Sequence, residues 1–301
     1  MSTRKKALLA VLAGNSIFGF SFLFSKEALA ITTPSVLLAV RFLMAFFVLN
    51  GVVLFGKLTG KLSFSLKGKP LKYVLLLSVF QPVIYFCAES FGIQYTSSAF
   101  AGTIIAVIPI AGVIFDILIM HVKVSYKQIL CAVVSVVGVA LTAVGAQNMK
   151  SSGVGLALLL VAVVAGALFY VFSKKAGEYF NSLERTYVMF GVGSLTYVGY
   201  ALIENIGKMD KIIMPALVSP AFWMCIFYLS IMSSVVAFLL LNYGSSHVSV
   251  SEGSLFANFT TVISILAGIL IVHESFTWTQ VVGAIFIIGS VYVSTTNGSR
   301  G

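Results

Sequence analysis

The sequence predicts an all-α integral membrane protein in which ten transmembrane helices form two inverted five-helix repeats. Three observations lead to this prediction: a strongly apolar composition, ten apolar stretches of similar length, and motifs that recur halfway along the chain. Of the 301 residues, 59% are hydrophobic and only 9% are charged, whereas soluble domains carry about 25% charged residues. A soluble core cannot bury that much apolar surface, so lipid must cover the remainder.

Ten stretches of the chain are long and apolar enough to cross a bilayer, because about 30 Å of hydrocarbon requires about 20 residues of helix. Short connections separate them and leave no room for a soluble domain. The first stretch follows Arg4, Lys5 and Lys6 and so resembles a signal peptide. It is longer than the roughly 7–15 residues of a signal h-region, and we interpret it as a retained span. The predicted spans are residues 7–27, 34–55, 71–93, 97–121, 128–146, 153–173, 186–206, 220–243, 250–272 and 279–296.

The lysines and arginines predict the orientation of the spans, since cytoplasmic loops carry an excess of both. If the N-terminus is cytoplasmic, fourteen of them fall on that side and four on the other. We therefore expect a multi-pass protein of the cell membrane with both termini in the cytoplasm. The fourteen are Arg4, Lys5, Lys6, Lys57, Lys61, Lys67, Lys69, Lys72, Lys123, Lys127, Lys174, Lys175, Arg185 and Arg300; the four are Lys26, Lys150, Lys208 and Lys211.

Two motifs occur once in each half of the chain. "FSKEA" at residues 24–28 ends the first span, and "FSKKA" at residues 172–176 ends the sixth. His121 follows the fourth span and His273 the ninth, and in both cases a glutamine comes seven residues later. The chain is thus predicted to be a tandem duplication.

The duplication divides the chain into residues 1–150 and 151–301, each with five spans. Because five is an odd number, the second half must cross the membrane in the opposite sense to the first. Such inverted-topology repeats are typical of transporters, which bind substrate near the membrane midplane between the repeats. Duplication for stability alone is the alternative interpretation.

A family resemblance supports the same architecture. The segments "GIQYTSSAFAGTIIAVIPI" at residues 92–110 and "HESFTWTQVVGAIFIIGS" at residues 273–290, together with the "FSKEA" ending and the pair Pro34 and Arg41, resemble the EamA branch of the drug/metabolite transporter superfamily. The similarity covers essentially the whole chain. It implies ten helices, a central cavity between the two halves, and export or uptake of small metabolites, often amino acids.

The third span carries a polar stripe within an otherwise apolar sequence. Gln81, Tyr85 and Glu89 are spaced four residues apart, which places them on one face of a helix. Pro82 lies beside the stripe, removes a backbone donor and can kink the helix. Since intramembrane charges usually face a bundle interior or a water-filled cavity, we expect this face to line the substrate path.

Polar and aromatic side chains in other spans are candidates for the same cavity. Hydroxyls and small residues also act as packing and hydrogen-bonding contacts between helices, so a structural role is the alternative for each of them. The aromatic candidates suit an aromatic ring or an alkylammonium group. The predicted substrate-binding residues are Asn15, Phe18, Phe22, Gln81, Tyr85, Glu89, Tyr170, Ser233, Asn258 and Thr261.

Arg41 and Glu89 are the charges that lie inside predicted spans, and two interpretations of them are open. They are about 10 Å and about 6 Å from the outer edge at 1.5 Å per residue, so a structural ion pair is one interpretation. In the other, Glu89 binds a proton or a cationic amine and Arg41 binds a carboxylate, which together suit a zwitterion. Asp116, near the inner end of the fourth span, is expected to be solvated.

These features favour a secondary transporter, an exporter of amino acids or related zwitterions that works by alternating access. A proton-coupled transporter of organic cations or quaternary amines is the alternative, because Glu89 and the aromatic residues would also suit that cargo. An intramembrane enzyme is a remote alternative, since the three histidines lie at loop edges and no paired aspartates occur. The expected partners are a small-molecule substrate, the lipid bilayer and, in one alternative, protons. We expect no catalytic residue, metal, cofactor or nucleic acid, and a monomer or weak dimer.

Overall fold

The computed structural model describes residues 2–60, 64–95, 104–144, 152–263, 266 and 277–297. The side chain of Phe22 and all of His273 lie outside this description. Within it, each predicted span contains one helix, and a short helix, Met209–Val218, precedes α8. The helices are α1 Thr3–Leu29, α2 Pro34–Leu58, α3 71–95, α4 Ile108–Leu118, α5 Tyr126–Val144, α6 Gly153–Ala176, α7 Ser182–Glu204, α8 Pro220–Ser245, α9 250–263 and α10 Trp278–Asn297.

Five of the described helices are long and apolar enough to cross a membrane by length and composition, namely α2, α3, α6, α7 and α8. Shorter apolar helices lie in α4, α5 and α10. Two helices begin with capping boxes, formed by Asn181 with Glu184 and by Ser249 with Glu252. Each box satisfies backbone N–H groups that have no partner inside the helix, so the sequence fixes where α7 and α9 begin.

The most extensive packing joins helices from opposite halves: α1 with α8, α3 with α6, α2 with α7, α4 with α9, and α5 with α10. The counterpart of each helix is the helix five positions earlier or later in the chain. When every helix is replaced by its counterpart, the pair α1–α8 becomes the pair α6–α3, and each of the other three pairs is unchanged. That is the pattern expected from a twofold relation between the halves. The two repeats therefore pack extensively against each other.

The contacts between α2 and α7 show that this pair is antiparallel. Phe42, early in α2, stacks on Tyr197, late in α7, with ring centroids 5.4 Å apart. Asn50, two turns further along α2, accepts a 2.8 Å hydrogen bond from Tyr187, near the start of α7. Counterpart helices that run in opposite directions are what an inverted repeat requires.

Small residues allow some of these helices to approach closely, as is usual between membrane helices. A Cβ added to Gly138 in α5 would lie 2.8 Å from the Gly283 carbonyl oxygen of α10. A Cβ added to Gly14 in α1 would lie 3.1 Å from the Ala237 carbonyl oxygen of α8. Glycine at these two positions therefore allows close packing at the interface between the halves.

Asp116 is buried, so the expectation that it is solvated is wrong. Its carboxylate accepts hydrogen bonds from the backbone N–H groups of Ser251, at 2.7 Å, and Val250, at 3.3 Å. These two N–H groups open α9, where the first turn has no intrahelical acceptors and the helix dipole favours a negative charge. The carboxylate of one half thereby caps a helix of the other half.

Arg185 was counted above with the loop charges but lies within α7 and is only 1% exposed. Its guanidinium donates to the carbonyl oxygens of Ser173 in α6 and Asn242 in α8, and to the Ser246 hydroxyl at 2.7 Å. Both carbonyls lie in the last turns of their helices and also accept hydrogen bonds from nearby residues. One planar side chain with five N–H donors therefore holds the ends of two helices together.

We expect Arg185→Lys to lower the midpoint of thermal unfolding of the purified protein in detergent. A lysine ammonium cannot span both helix ends, and each hydrogen bond lost from a charged donor costs about 1.5–3 kcal/mol. Circular dichroism on heating measures the shift. The control is Lys211→Gln, which removes an exposed positive charge and should leave the midpoint unchanged. Equal midpoints for Arg185→Lys and wild type would show that the hydrogen bonds of Arg185 to α6 and α8 do not stabilise the protein.

Candidate functional site

The polar stripe of α3 lies where the helix is interrupted. Residues Val79–Ile84 form a π-helical segment in which Gln81 has non-helical angles, with φ −147° and ψ 121°. The Tyr197 hydroxyl of α7 donates to the carbonyl oxygens of Val83, at 2.9 Å, and Pro82, at 3.2 Å. A side chain of the second repeat is thus bonded to the interrupted backbone of the first.

The three members of the stripe have different surroundings. The Tyr85 hydroxyl donates a 3.0 Å hydrogen bond to the Glu89 carboxylate, and both residues are half-buried. Gln81, on the other side of the interruption, is 7% exposed. Its side-chain amide has no hydrogen-bond partner in the part of the chain that the structure describes. The structure therefore joins Tyr85 with Glu89 and leaves the Gln81 amide available.

Arg41 is 4% exposed and its described hydrogen-bond partners are uncharged. Its Nε donates to the Ser234 hydroxyl and its Nη2 to the Ser233 hydroxyl, both at 2.9 Å. Arg41 and Glu89 are close enough for their charges to interact, but in the described chain they form no direct ion pair. Nη1 has no hydrogen-bond partner among the described residues. The guanidinium thus keeps donors that an anion can use.

Aromatic rings enclose the Arg41 guanidinium. Its central carbon lies 5.0 Å from the ring centroid of Phe86 and 5.6 Å from that of Phe42, within the range of cation–π attraction. The Phe86 ring also contacts the Tyr85 ring at 5.2 Å. Arg41 and the Tyr85–Glu89 pair therefore adjoin a single aromatic wall, to which the rings of α2 and α3 contribute.

The aromatic candidates of α1 and α6 reach the same wall through Phe238 of α8. The Phe238 ring lies 5.4 Å from the ring of Phe18 and 6.4 Å from that of Phe86. Phe169 connects Phe238, at 5.9 Å, to Tyr170, at 5.1 Å. Phe18 and Tyr170 thus belong to the aromatic cluster that encloses Arg41, whereas Phe22 lies outside the described side chains.

The Asn258 amide bonds between helices, whereas the Asn15 amide bonds within its own helix. Asn258 donates to the Ala106 carbonyl oxygen at 3.1 Å and to the Ser135 hydroxyl at 2.9 Å. Asn15 donates to the Val11 carbonyl at 2.8 Å, and its own carbonyl accepts from Thr260 at 3.1 Å. Both asparagines are thus hydrogen-bonded in this structure, and Thr261 is half-buried beside Thr260.

Several residues of this site were missed from the sequence. Phe42 and Phe86 are immediate neighbours of Arg41 and Tyr85, so the neighbours of each candidate carried the only signal for them. Tyr197 gave no signal, because a tyrosine late in an apolar span is common at membrane interfaces.

An inverted pair of five-helix repeats with ionisable groups between them is the architecture of a membrane transporter. The chain belongs to the EamA-like transporter family, whose model matches residues 5–144 and again residues 153–296. The two matches occupy the two five-helix halves. The protein is therefore a multi-pass membrane transporter.

Relatives and a solved structure agree with this assignment. The chain is 31% identical over 295 residues to "Uncharacterized transporter YcxC" of Bacillus subtilis (strain 168), covering 97% of this chain and 93% of that protein. It is 22% identical over 280 residues to an "Uncharacterized transporter" of Archaeoglobus fulgidus, covering 92% and 94%. A solved structure titled "Crystal structure of protein" superposes with a TM-score of 0.80 at 16% identity over 98% of each chain, which shows the fold alone.

Tyr197→Phe tests the bond between α7 and the interrupted α3. The ring that stacks on Phe42 is kept, but the hydroxyl that donates to the α3 carbonyls is lost, and such a bond contributes about 0.5–1.5 kcal/mol. We therefore expect a lower midpoint of thermal unfolding in detergent. Tyr200→Phe is the control, since its hydroxyl bonds to Glu204 in an exposed position. If the two variants unfold alike, the hydroxyl does not stabilise the interruption.

Proposed function

We propose that the protein is a secondary transporter that exports small zwitterionic metabolites, most simply amino acids, through a site between its two repeats. The observation that carries the proposal is the Arg41 guanidinium, buried and bonded to two serine hydroxyls. A buried charge is unfavourable unless it is paired and hydrogen-bonded, and Arg41 has no direct ion pair among the described residues. An anionic group of the substrate would supply a counter-charge, and a carboxylate matches the planar fork of a guanidinium.

The Tyr85–Glu89 pair supports a second, cationic group on the same substrate. The Glu89 carboxylate accepts from Tyr85 and has acceptor capacity for further donors. A substrate ammonium bound there would lie near the aromatic wall, where cation–π attraction adds to the ionic interaction. A molecule with both groups, such as an amino acid, would neutralise Arg41 and Glu89 together. Phosphorylated cargo fits less well, because phosphates favour several cations.

The arrangement of the repeats supports alternating access as the mechanism. Each of the main helix pairs contains one helix from each half, so rocking one half against the other would change the access to the site. We propose that Gln81, Phe18 and Tyr170 also contact the substrate. We further propose that both termini are cytoplasmic, from the distribution of lysine and arginine, so that export is movement away from the end of α1 that holds Arg4.

Proton-coupled transport of organic cations is the second candidate. It is favoured by Glu89, which lies beside Tyr85 and the Phe86 ring and could exchange a proton for a cationic cargo. Against it stands Arg41, whose positive charge would repel such a cargo across the same aromatic wall. The two candidates therefore differ in whether transport depends on the Arg41 guanidinium.

Transport by purified protein in proteoliposomes tests the proposal. We expect the wild type to accumulate a radiolabelled mixture of proteinogenic L-amino acids by counterflow. Glu89→Gln and Arg41→Lys should each reduce the initial rate at least about tenfold, which corresponds to about 1.4 kcal/mol. Glu204→Gln, at the exposed end of α7, is the matched control and should retain the wild-type rate.

Two results would contradict the proposal. One is counterflow that persists at the wild-type rate in both Glu89→Gln and Arg41→Lys. The other is uptake of radiolabelled tetraethylammonium, driven by a pH gradient and retained in Arg41→Lys, without any amino acid counterflow. The second result would establish the organic-cation candidate.

A further inference from the structure

The two hydroxyls that hold Arg41 come from the opposite repeat. Arg41 lies in α2 of the first half, whereas Ser233 and Ser234 lie in α8 of the second half. Both serines are fully buried. Their hydrogen bonds to the guanidinium therefore form a polar connection between the two bodies that must move relative to each other in a transport cycle.

The geometry of this connection resembles that of a bound carboxylate. Ser234 accepts from Nε and Ser233 from Nη2, each at 2.9 Å. Nε and Nη2 lie on one edge of the guanidinium, and two parallel N–H···O bonds from such an edge are the usual way to bind a carboxylate. The serine oxygens thus occupy the positions that the two carboxylate oxygens would take.

A local departure from the α-helix accompanies this arrangement. Tyr228–Val236, which includes both serines, is π-helical, and single π-helical turns within α-helices are frequent at functional sites. In this π-helical segment, the hydroxyls of two consecutive serines accept hydrogen bonds from one guanidinium. Ser230, in the same segment, is also fully buried, but its hydroxyl has no hydrogen-bond partner among the described residues.

We propose that Ser233 and Ser234 are positioning residues that replace the substrate carboxylate at Arg41 whenever the site is empty. This inference rests on the proposed function, because it requires a cargo with a carboxylate. Ser233, predicted above to bind substrate, is here assigned to Arg41. When cargo binds, its carboxylate displaces the hydroxyls, since hydrogen bonds to an ionised acceptor are roughly twice as strong as those to a neutral one.

The proposal has a consequence for the transport cycle. Net efflux requires the empty carrier to reorient, whereas exchange of internal for external substrate requires only the loaded carrier. Without the serines, the empty carrier would have to reorient with an unsatisfied buried guanidinium, which is costly. The loaded carrier keeps the substrate carboxylate on Arg41, so its reorientation should be affected much less.

The test compares exchange with net efflux in proteoliposomes loaded with the radiolabelled mixture of L-amino acids. In the double variant Ser233→Ala, Ser234→Ala, we expect the ratio of the exchange rate to the net efflux rate to rise at least about tenfold. Ser230→Ala, which removes a buried but unpartnered hydroxyl from the same segment, should keep the wild-type ratio. Size-exclusion elution and reconstituted protein amount confirm that each variant is folded.

The possible outcomes separate this inference from the proposed function. Equal loss of exchange and net efflux in the double variant would show a merely structural role for the serines and overturn the inference. An unchanged ratio, or the same rise in Ser230→Ala, would overturn it as well. Absence of exchange by the wild type would contradict the proposed function itself, and this inference with it.

Discussion

The Arg41 guanidinium is buried inside a membrane protein, so its hydrogen-bond partners must come from the protein. The contacts at the centre of the molecule depend on this requirement. A guanidinium that is 4% exposed cannot be solvated by water, so Ser233 and Ser234 accept from it and two phenylalanine rings face it. The serines belong to the second repeat and the arginine to the first. At the interface between the repeats, neutral groups therefore surround a buried charge, and this arrangement is the basis of the proposed carboxylate site.

At the end of the bundle that holds Arg4, ion pairs join the two halves instead of neutral hydrogen bonds. Arg4 lies 2.6 Å from Glu252, and Lys69 lies 2.5 Å from Glu184. Both glutamates also complete the capping boxes of α7 and α9, and Asp116 caps α9 from the first half. Helix capping and contact between the repeats are thus performed by the same carboxylates. The described hydrogen-bond partners of the guanidinium at the centre are instead neutral hydroxyls.

Much of the fold follows from the sequence, because the bilayer imposes a simple rule on it. Backbone groups in hydrocarbon must be bonded within helices, so apolar length alone predicts ten helices, and the motif shared by residues 24–28 and 172–176 predicts the repeat. Tyr85 and Glu89 were also predictable, since residues four apart share a helix face. The contacts of Arg41 with Ser234 were not, because they depend on the rotation of α8 about its axis. The burial of Asp116 was not predictable for a related reason. Its partners are backbone N–H groups of a distant helix, and the spacing of side chains in the sequence does not indicate such contacts.

Ligand-dependent thermal stabilisation of the purified protein tests the central claim most directly, since a ligand that binds the folded state raises its stability. The comparison uses each proteinogenic L-amino acid, its carboxamide, which lacks the carboxylate, and the corresponding amine. We predict that at least one amino acid raises the unfolding midpoint of the wild type, that its amide and amine do not, and that the shift is lost in Arg41→Lys. Equal stabilisation by the amine, or a shift that persists in Arg41→Lys, would contradict a carboxylate site at Arg41.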